Sequence, residues 1–421
     1  MKLHLDPARY PSLKEKLINS SHHEKYFMVL DSNKFKDPYG KYDWIIATGA
    51  RNVFIPEGDK FTALKNYHQQ HNCWLFGHLN YNVKNELEAL HTSANDDFQF
   101  PLMLFFEPEI VIYSKDGDLL VESELENENS FARWLEQKNP RIPLTSSPVK
   151  LSGNTSRDEY ISNIGKLKDH LQYGNIYELN YCIEFNGYAN LQPEDLYCKL
   201  TGSSPAPFAS FYKCNDQYLI CSSPERYLCK KGSQLISQPI KGTAARSADP
   251  DTDQKLRTQL VNSEKERSEN VMIVDLVRND LSRTAAPGSV KVEELFGIYS
   301  FPAVHQMVST ISSRLSDDFH FSDAIRYSFP MGSMTGAPKI RAMKIIDEHE
   351  TFSRSIYSGS VGYISPDGDF DFNVVIRSIM YNAPTRLISA RVGSAITIHC
   401  DAAKEYEECL LKAEKLFMAL Q

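Results

Sequence analysis

The sequence predicts an α+β fold in which largely antiparallel sheet dominates and helices pack outside it. Three observations carry that expectation. Short runs rich in β-branched and aromatic residues recur along the chain, separated by turn chemistry. Segments with helical spacing are fewer than these runs. Too few of them stand between consecutive strands to supply the crossovers of a doubly wound parallel sheet.

Taken in order, residues 26–32 (YFMVLDS), 42–49 (YDWIIATG), 72–82 (NCWLFGHLNYN) and 102–114 (LMLFFEPEIVIYS) read as strands, with a turn at DPYG, 37–40. Residues 123–150 are polar, then charged, then Pro/Ser-containing, and read as a linker. A boundary near Val149 divides the chain into a β-rich 1–149 and a second region, 150–421. Ser156 with Glu159 three residues on and Gly174 at the far end predicts a capped helix between them. Strands follow at 176–185, 208–214, 218–230 and 232–242, then one long helix over 253–281. Helices fit 323–329, 337–350 and 403–420, and strands fit 358–365, 370–382 and 387–399.

Composition narrows the function. The chain has 421 residues, 42% hydrophobic and 24% charged, which suits a folded core rather than disorder. Its 46 Lys plus Arg against 54 Asp plus Glu give a net charge of -8, with no dense basic block, so nucleic-acid binding is not expected. Eight cysteines without a C-x-x-C pair read as reduced thiols of a cytoplasmic protein. No apolar stretch approaches the ~20 residues that span a bilayer; neither membrane insertion nor export is expected.

Several residues could carry chemistry. Glu266, Glu269, Ile273 and Leu276 follow one another at helical spacing, so two carboxylates lie on a stripe that becomes apolar and points inward. Buried carboxylates need a partner: either a hard divalent cation or a nearby Lys or Arg. In the last helix Tyr406, Leu410, Ala413, Phe417 and Leu420 share one stripe, leaving Glu405, Glu408 and Lys412 on a face that reads by itself as solvated. GSMTGAPK (332–339) lacks Walker spacing and reads as a Gly-rich turn with Pro338 near N1 of a helix. No nucleophile elbow or H-E-x-x-H is present. Lys241 follows a strand and precedes Gly242, which lets a ligand approach the backbone; by itself it is an ordinary lysine.

Six blocks together change that reading: SPER (223–226), PIKGT (239–243), SENVMIVDLVRNDLSR (268–283), FPMGSMTGAPK (329–339), IYSGSVGYIS (356–365) and EYEECLLKAEKL (405–416). In this order they resemble the chorismate-utilising enzymes, which include anthranilate, aminodeoxychorismate, isochorismate and salicylate synthases. The resemblance covers 151–421 strongly and the amino-terminal third more weakly. It implies two largely antiparallel β-sheets sandwiched between helical layers, with 1–149 and 150–421 interleaved into one large domain. It implies that Glu269 and Glu408 coordinate Mg²⁺, with Glu266 and Glu405 beside them, and that the metal holds the ring carboxylate of chorismate.

Tyr357, Arg377, Lys412 and the backbone at Gly393 match positions that hold the enolpyruvyl carboxylate, with Gly242, Thr243 and Ser333 nearby. Glu225 matches the general acid, whose pKa burial should raise. Lys241 matches the nucleophile of the aminodeoxychorismate-forming branch, in which a covalent adduct at C2 precedes amination at C4. For attack its amine must be neutral, so its pKa should fall below about 10.4. The sequence departs from the family pattern at Glu178, Gln306, Ser333 and Ala395. The implied partners are chorismate, ammonia or a glutamine amidotransferase subunit, and a separate aminodeoxychorismate lyase downstream. Formation of anthranilate and non-catalytic chorismate binding stay open as alternatives.

Overall fold

The computed structural model describes residues 1–141, 148–302 and 304–421. Among these residues two large sheets form, one of twelve strands and one of ten, and every strand pairing within them is antiparallel. Strands from both ends of the chain build each sheet. Tyr26–Asp31 pairs with Phe208–Cys214, joining the amino-terminal strands of the first sheet to Gln217–Ser223, Ser378–Asn382, Leu387–Thr397 and Glu178–Tyr188. In the second sheet Leu75–Leu79 pairs with Ser360–Ile364, so Leu79 lies opposite Ser360.

Side-chain alternation explains the layering. Along Tyr26–Asp31, Phe27 and Val29 enter one core while Met28 enters the other; Ile46 is likewise opposed to Ile45 and Ala47 on Trp44–Thr48. One core joins the first sheet to the helices Arg157–Gln172 and Ala402–Ala419 through Tyr160, Ile164, Leu167, Cys409 and Ala413. The other joins the two sheets and the helices Glu264–Ser282 and Phe321–Ser328 through Ile273, Val277, Phe321 and Ile325. The α+β expectation of two antiparallel sheets between helical layers is what the chain forms.

Local signals worked where they were strong. Ser156 caps Arg157–Gln172 in a reciprocal box with Glu159, and Gly174 adopts φ +74° just past its end. Elsewhere the structure corrects the sequence reading. The long helix expected over 253–281 is two, Pro250–Asn262 and Glu264–Ser282. They break at Ser263, which is extended and whose hydroxyl accepts from the Glu266 amide. The strand expected over 370–382 is also two, Phe370–Asn373 in the second sheet and Ser378–Asn382 in the first, so the intervening residues cross between sheets.

Part of the expected linker, 123–150, is the helix Glu128–Glu136, with Phe131 and Leu135 buried, while 142–147 lies outside the described residues. Pro338 is extended at the N-cap of Lys339–His349, not inside its first turn. The helices Leu13–Asn19, Lys60–His71 and Pro193–Ser203, and the paired strands Lys291–Ser300 and Val304–Arg314, had no sequence assignment.

Candidate active site

A cleft of about 740 Å³ opens where the two sheets face the carboxyl-terminal helix. Strand ends supply its floor: Glu225 stands immediately before Arg226–Lys231, and Lys241, Gly242 and Thr243 lie on Ile240–Ala245. Gly393 comes from Leu387–Thr397. The walls come from Glu266 and Glu269 on Glu264–Ser282, and from Glu405, Glu408 and Lys412 on Ala402–Ala419. Ser333 enters from the short turn Gly332–Met334, Tyr357 precedes Ser360–Ile364, and Arg377 sits in the inter-sheet crossing at φ +49°. All the catalytic, substrate and metal candidates named from sequence therefore line one cavity.

Two glycines have specific reasons to be there. Gly242 has φ +94°, and a β-carbon on it would lie 3.0 Å from Glu266 Oε2, so the glycine admits that carboxylate rather than only a ligand. At Gly393 a β-carbon would fall 2.8 Å from both Asn180 Nδ2 and Cys182 Sγ, and the Gly393 carbonyl accepts a 2.9 Å hydrogen bond from Lys412 Nζ.

The titratable groups are set apart by burial. Burial pushes Glu225 up to about 7, with Ser333 and Lys241 limiting the rise. Its neutral form is therefore well populated near neutrality, which suits a proton donor. Lys241 departs from expectation. Burial works to lower its pKa, but Glu178 and Glu269 outweigh it and hold the amine above its ordinary value. Its ammonium donates to Glu178 Oε1 at 2.5 Å. The lysine is thus stored charged.

The two glutamate pairs differ. Burial pushes Glu269 up to about 7, countered by Lys241 and reinforced by Glu178, and its Oε1 is buried without a hydrogen-bond partner. Burial also raises Glu266 and Glu405. Glu408 is held low because Lys412, 2.8 Å away, outweighs burial. Lys265 Nζ lies 3.0 Å from Glu405 Oε1 and 3.9 Å from Glu269 Oε1, an ammonium between the two helices.

Among the described residues no three His, Cys, Asp or Glu side chains are gathered as a ready metal cage. Mg²⁺ takes one or two carboxylates and completes its shell with water and substrate oxygens. An orphaned carboxylate oxygen on Glu269, facing a second acidic helix across the cleft, fits that donor set.

The last helix buries Ala413 and Leu420 of its expected apolar stripe but exposes Leu410. Glu405 is buried with Cys409, Ala413 and Leu416 and turns into the cleft, while Glu408 lines the same cleft with 44% of its side chain exposed. Residues missed as site candidates include Lys265 and Arg391. Lys265 had a signal, one helical turn before Glu269. Arg391 had none, and its guanidinium is already engaged by Glu184 and the Arg354 carbonyl. A second cavity, about 1350 Å³, lies among Leu30, Ser32, Asp37 and Asp371. Glu225 and Arg226, adjacent in sequence, line different cavities; Arg226 pairs with Asp37 and Asp371.

A family model described as chorismate binding enzyme matches residues 26–418. Aminodeoxychorismate synthase component 1 of Escherichia coli (strain K12) is 33% identical over 436 residues, covering 95% of this chain and 94% of that protein. Anthranilate synthase component 1 of Thermus thermophilus is 32% identical over 82% of this chain and 77% of that protein. Among solved structures, anthranilate synthase component I from Streptococcus pneumoniae TIGR4 shares the fold, with a TM-score of 0.78 at 24% identity over 91% of this chain and 93% of that one.

Proposed function

We propose that this chain, which belongs to the chorismate-binding enzyme family, aminates chorismate at C4 with ammonia to give 4-amino-4-deoxychorismate. The observation that carries the reading is a buried lysine amine, Lys241, sharing a cleft with a buried carboxyl group, Glu225, whose pKa lies near 7. Identities of 33% and 32% to an aminodeoxychorismate synthase and an anthranilate synthase component do not separate the two outcomes. Lys241 favours the 4-amino outcome, because covalent attack at C2 would block that carbon and direct ammonia to C4.

In this scheme the Lys241 nitrogen bonds to C2, the ring double bond shifts, and the C4–oxygen bond breaks as Glu225 delivers a proton, so that water departs. Ammonia then bonds to C4, the double bond returns and the C2–nitrogen bond breaks, releasing the lysine. A proton from the new ammonium restores Glu225. Net, chorismate and ammonia become 4-amino-4-deoxychorismate and water.

Arg377 and Lys412, with Tyr357 and the backbone at Gly393, would hold the enolpyruvyl carboxylate, and Gly242, Thr243 and Ser333 would shape the space beside Lys241. Glu269 and Glu408 would hold Mg²⁺, with Glu266 and Glu405 next to them, and the ion would neutralise the ring carboxylate. Ammonia would come from a glutaminase subunit or from solution, and the product would pass to a separate lyase. Chorismate, Mg²⁺ and ammonium with the purified protein test the reading by chromatography. Formation of 4-amino-4-deoxychorismate supports it; fluorescent anthranilate as the main product overturns it.

A further inference from the structure

We propose that Glu178 takes the ammonium proton of Lys241 and holds its amine toward the cleft, making the lysine a neutral nucleophile at the moment of attack. This rests on the reading of Lys241 as the attacking group. The two side chains meet at 2.5 Å, at 8% and 1% exposure, and the second oxygen of Glu178 is buried without a hydrogen-bond partner. Transfer along that contact turns two buried charges into two neutral groups, which the low local dielectric favours relative to water.

The other charged groups facing Lys241 are Glu225, Glu266, Glu269 and Glu408. Glu225 must keep its proton to deliver it at C4. Glu269 and Glu408, with Glu266 beside them, must stay ionised if they are to hold a cation. Glu178 alone combines direct contact with freedom from another duty.

The step balances. The lysine N–H proton moves to Glu178 Oε1, the freed electron pair bonds to C2, and hydroxide leaves C4 with the Glu225 proton. When ammonia displaces the lysine, the amine recovers its proton from Glu178. As a residue acting through Lys241, Glu178 is a positioning residue and needs a readout that loss of packing would not move.

That readout is the rate of adduct formation on Lys241, followed by rapid quench and peptide mass spectrometry across pH with chorismate and Mg²⁺ but no ammonia. In the parent the rate should fall only as Glu225 loses its proton through about pH 7, with no further dependence from Lys241, because the lysine proton moves within the pair. Glu178→Gln keeps the shape and should bind chorismate as the parent does. Relative to the parent at each pH, its adduct should form ~10²-fold more slowly at pH 7, a deficit that shrinks about tenfold per pH unit above it. Glu178→Asp should keep a larger share of the parent rate than Glu178→Gln.

A Glu178→Gln enzyme that matches or exceeds the parent rate at every pH overturns the assignment, since burial alone would then suffice to free the amine. So does a Gln variant as fast as the Asp variant, or one whose only defect is chorismate affinity. If the parent itself forms no adduct at any quench time, the Lys241 reading fails first, and Glu178's role with it.

Discussion

Replacing Glu225 by Gln should disable the enzyme and stabilise it in the same step. Burial moves the Glu225 pKa from 4.5 to about 7. At about 1.4 kcal/mol per tenfold change, the folded state favours the protonated carboxyl by ~3 kcal/mol more than the unfolded chain does. Because the folded pKa is the higher one, that stabilisation is fully present below pH 4.5 and is lost as pH rises through about 7. Above that range the native cleft carries a poorly solvated carboxylate. Glu225→Gln is neutral at every pH, so thermal unfolding at pH 8 should occur at a higher temperature than in the parent, by up to ~3 kcal/mol of stability, and the advantage should vanish at pH 4 to 5. Turnover of chorismate should meanwhile fall by roughly 10² to 10⁴, because Gln delivers no proton. Melting curves at pH 4.5, 6 and 8 beside single-turnover kinetics check both halves. A variant whose stability difference from the parent does not change with pH refutes the claim that the carboxyl is held neutral by burial; a variant with undiminished turnover refutes its role as acid.

Lys241→Ala should abolish the chorismate-less-water adduct and most formation of 4-amino-4-deoxychorismate, measured by peptide mass spectrometry and product chromatography; the parent rate of 4-amino product in that variant would refute covalent catalysis. Glu269→Gln and Glu408→Gln should each abolish turnover while leaving circular dichroism unchanged, and excess EDTA should do the same to the parent; activity surviving in EDTA would sink the metal assignment. Ser263→Ala should cost ~1 kcal/mol in urea unfolding, because the hydroxyl that accepts from the Glu266 amide is lost. Arg354→Met should destabilise by roughly 3–5 kcal/mol, since Glu350 would be left buried without the guanidinium that donates to it and to the Met334 and Asn180 carbonyls; unfolding at the parent midpoint would contradict this.

Much of the candidate site was readable in sequence because six motif blocks together resemble a known family. PIKGT sets Lys241 beside a residue that must tolerate φ +94°, and Glu266 and Glu269 fall on a helical stripe that turns apolar at Ile273. The break at Ser263 was also written there, as Ser-x-x-Glu, yet the helical periodicity on either side masked it. What sequence could not supply was distance across the fold. Nothing near Lys241 announces that Glu178 will stand 2.5 Å from its amine, so the direction of the lysine's pKa was expected wrongly. Periodicity alone left Glu405 on a solvated face, and only the family resemblance turned it inward; in the fold it is buried, paired with Lys265 of the helix opposite. Residues 370–382 read as one β-rich run, and only the placement of two separate sheets splits them.

The pairing of Leu75–Leu79 with Ser360–Ile364 has a consequence during synthesis. A ribosome releases the first of these strands long before its partner exists, and until then an apolar strand, every residue of it destined for burial, keeps an open edge. Tyr26–Asp31 waits in the same way for Phe208–Cys214. A messenger truncated before the codon for Ser360 therefore yields no half-enzyme with a weakened cleft. It yields a chain whose exposed edges invite aggregation, so nonsense mutations as late as the codon for Ser360 should deplete the protein from the soluble fraction of a cell lysate.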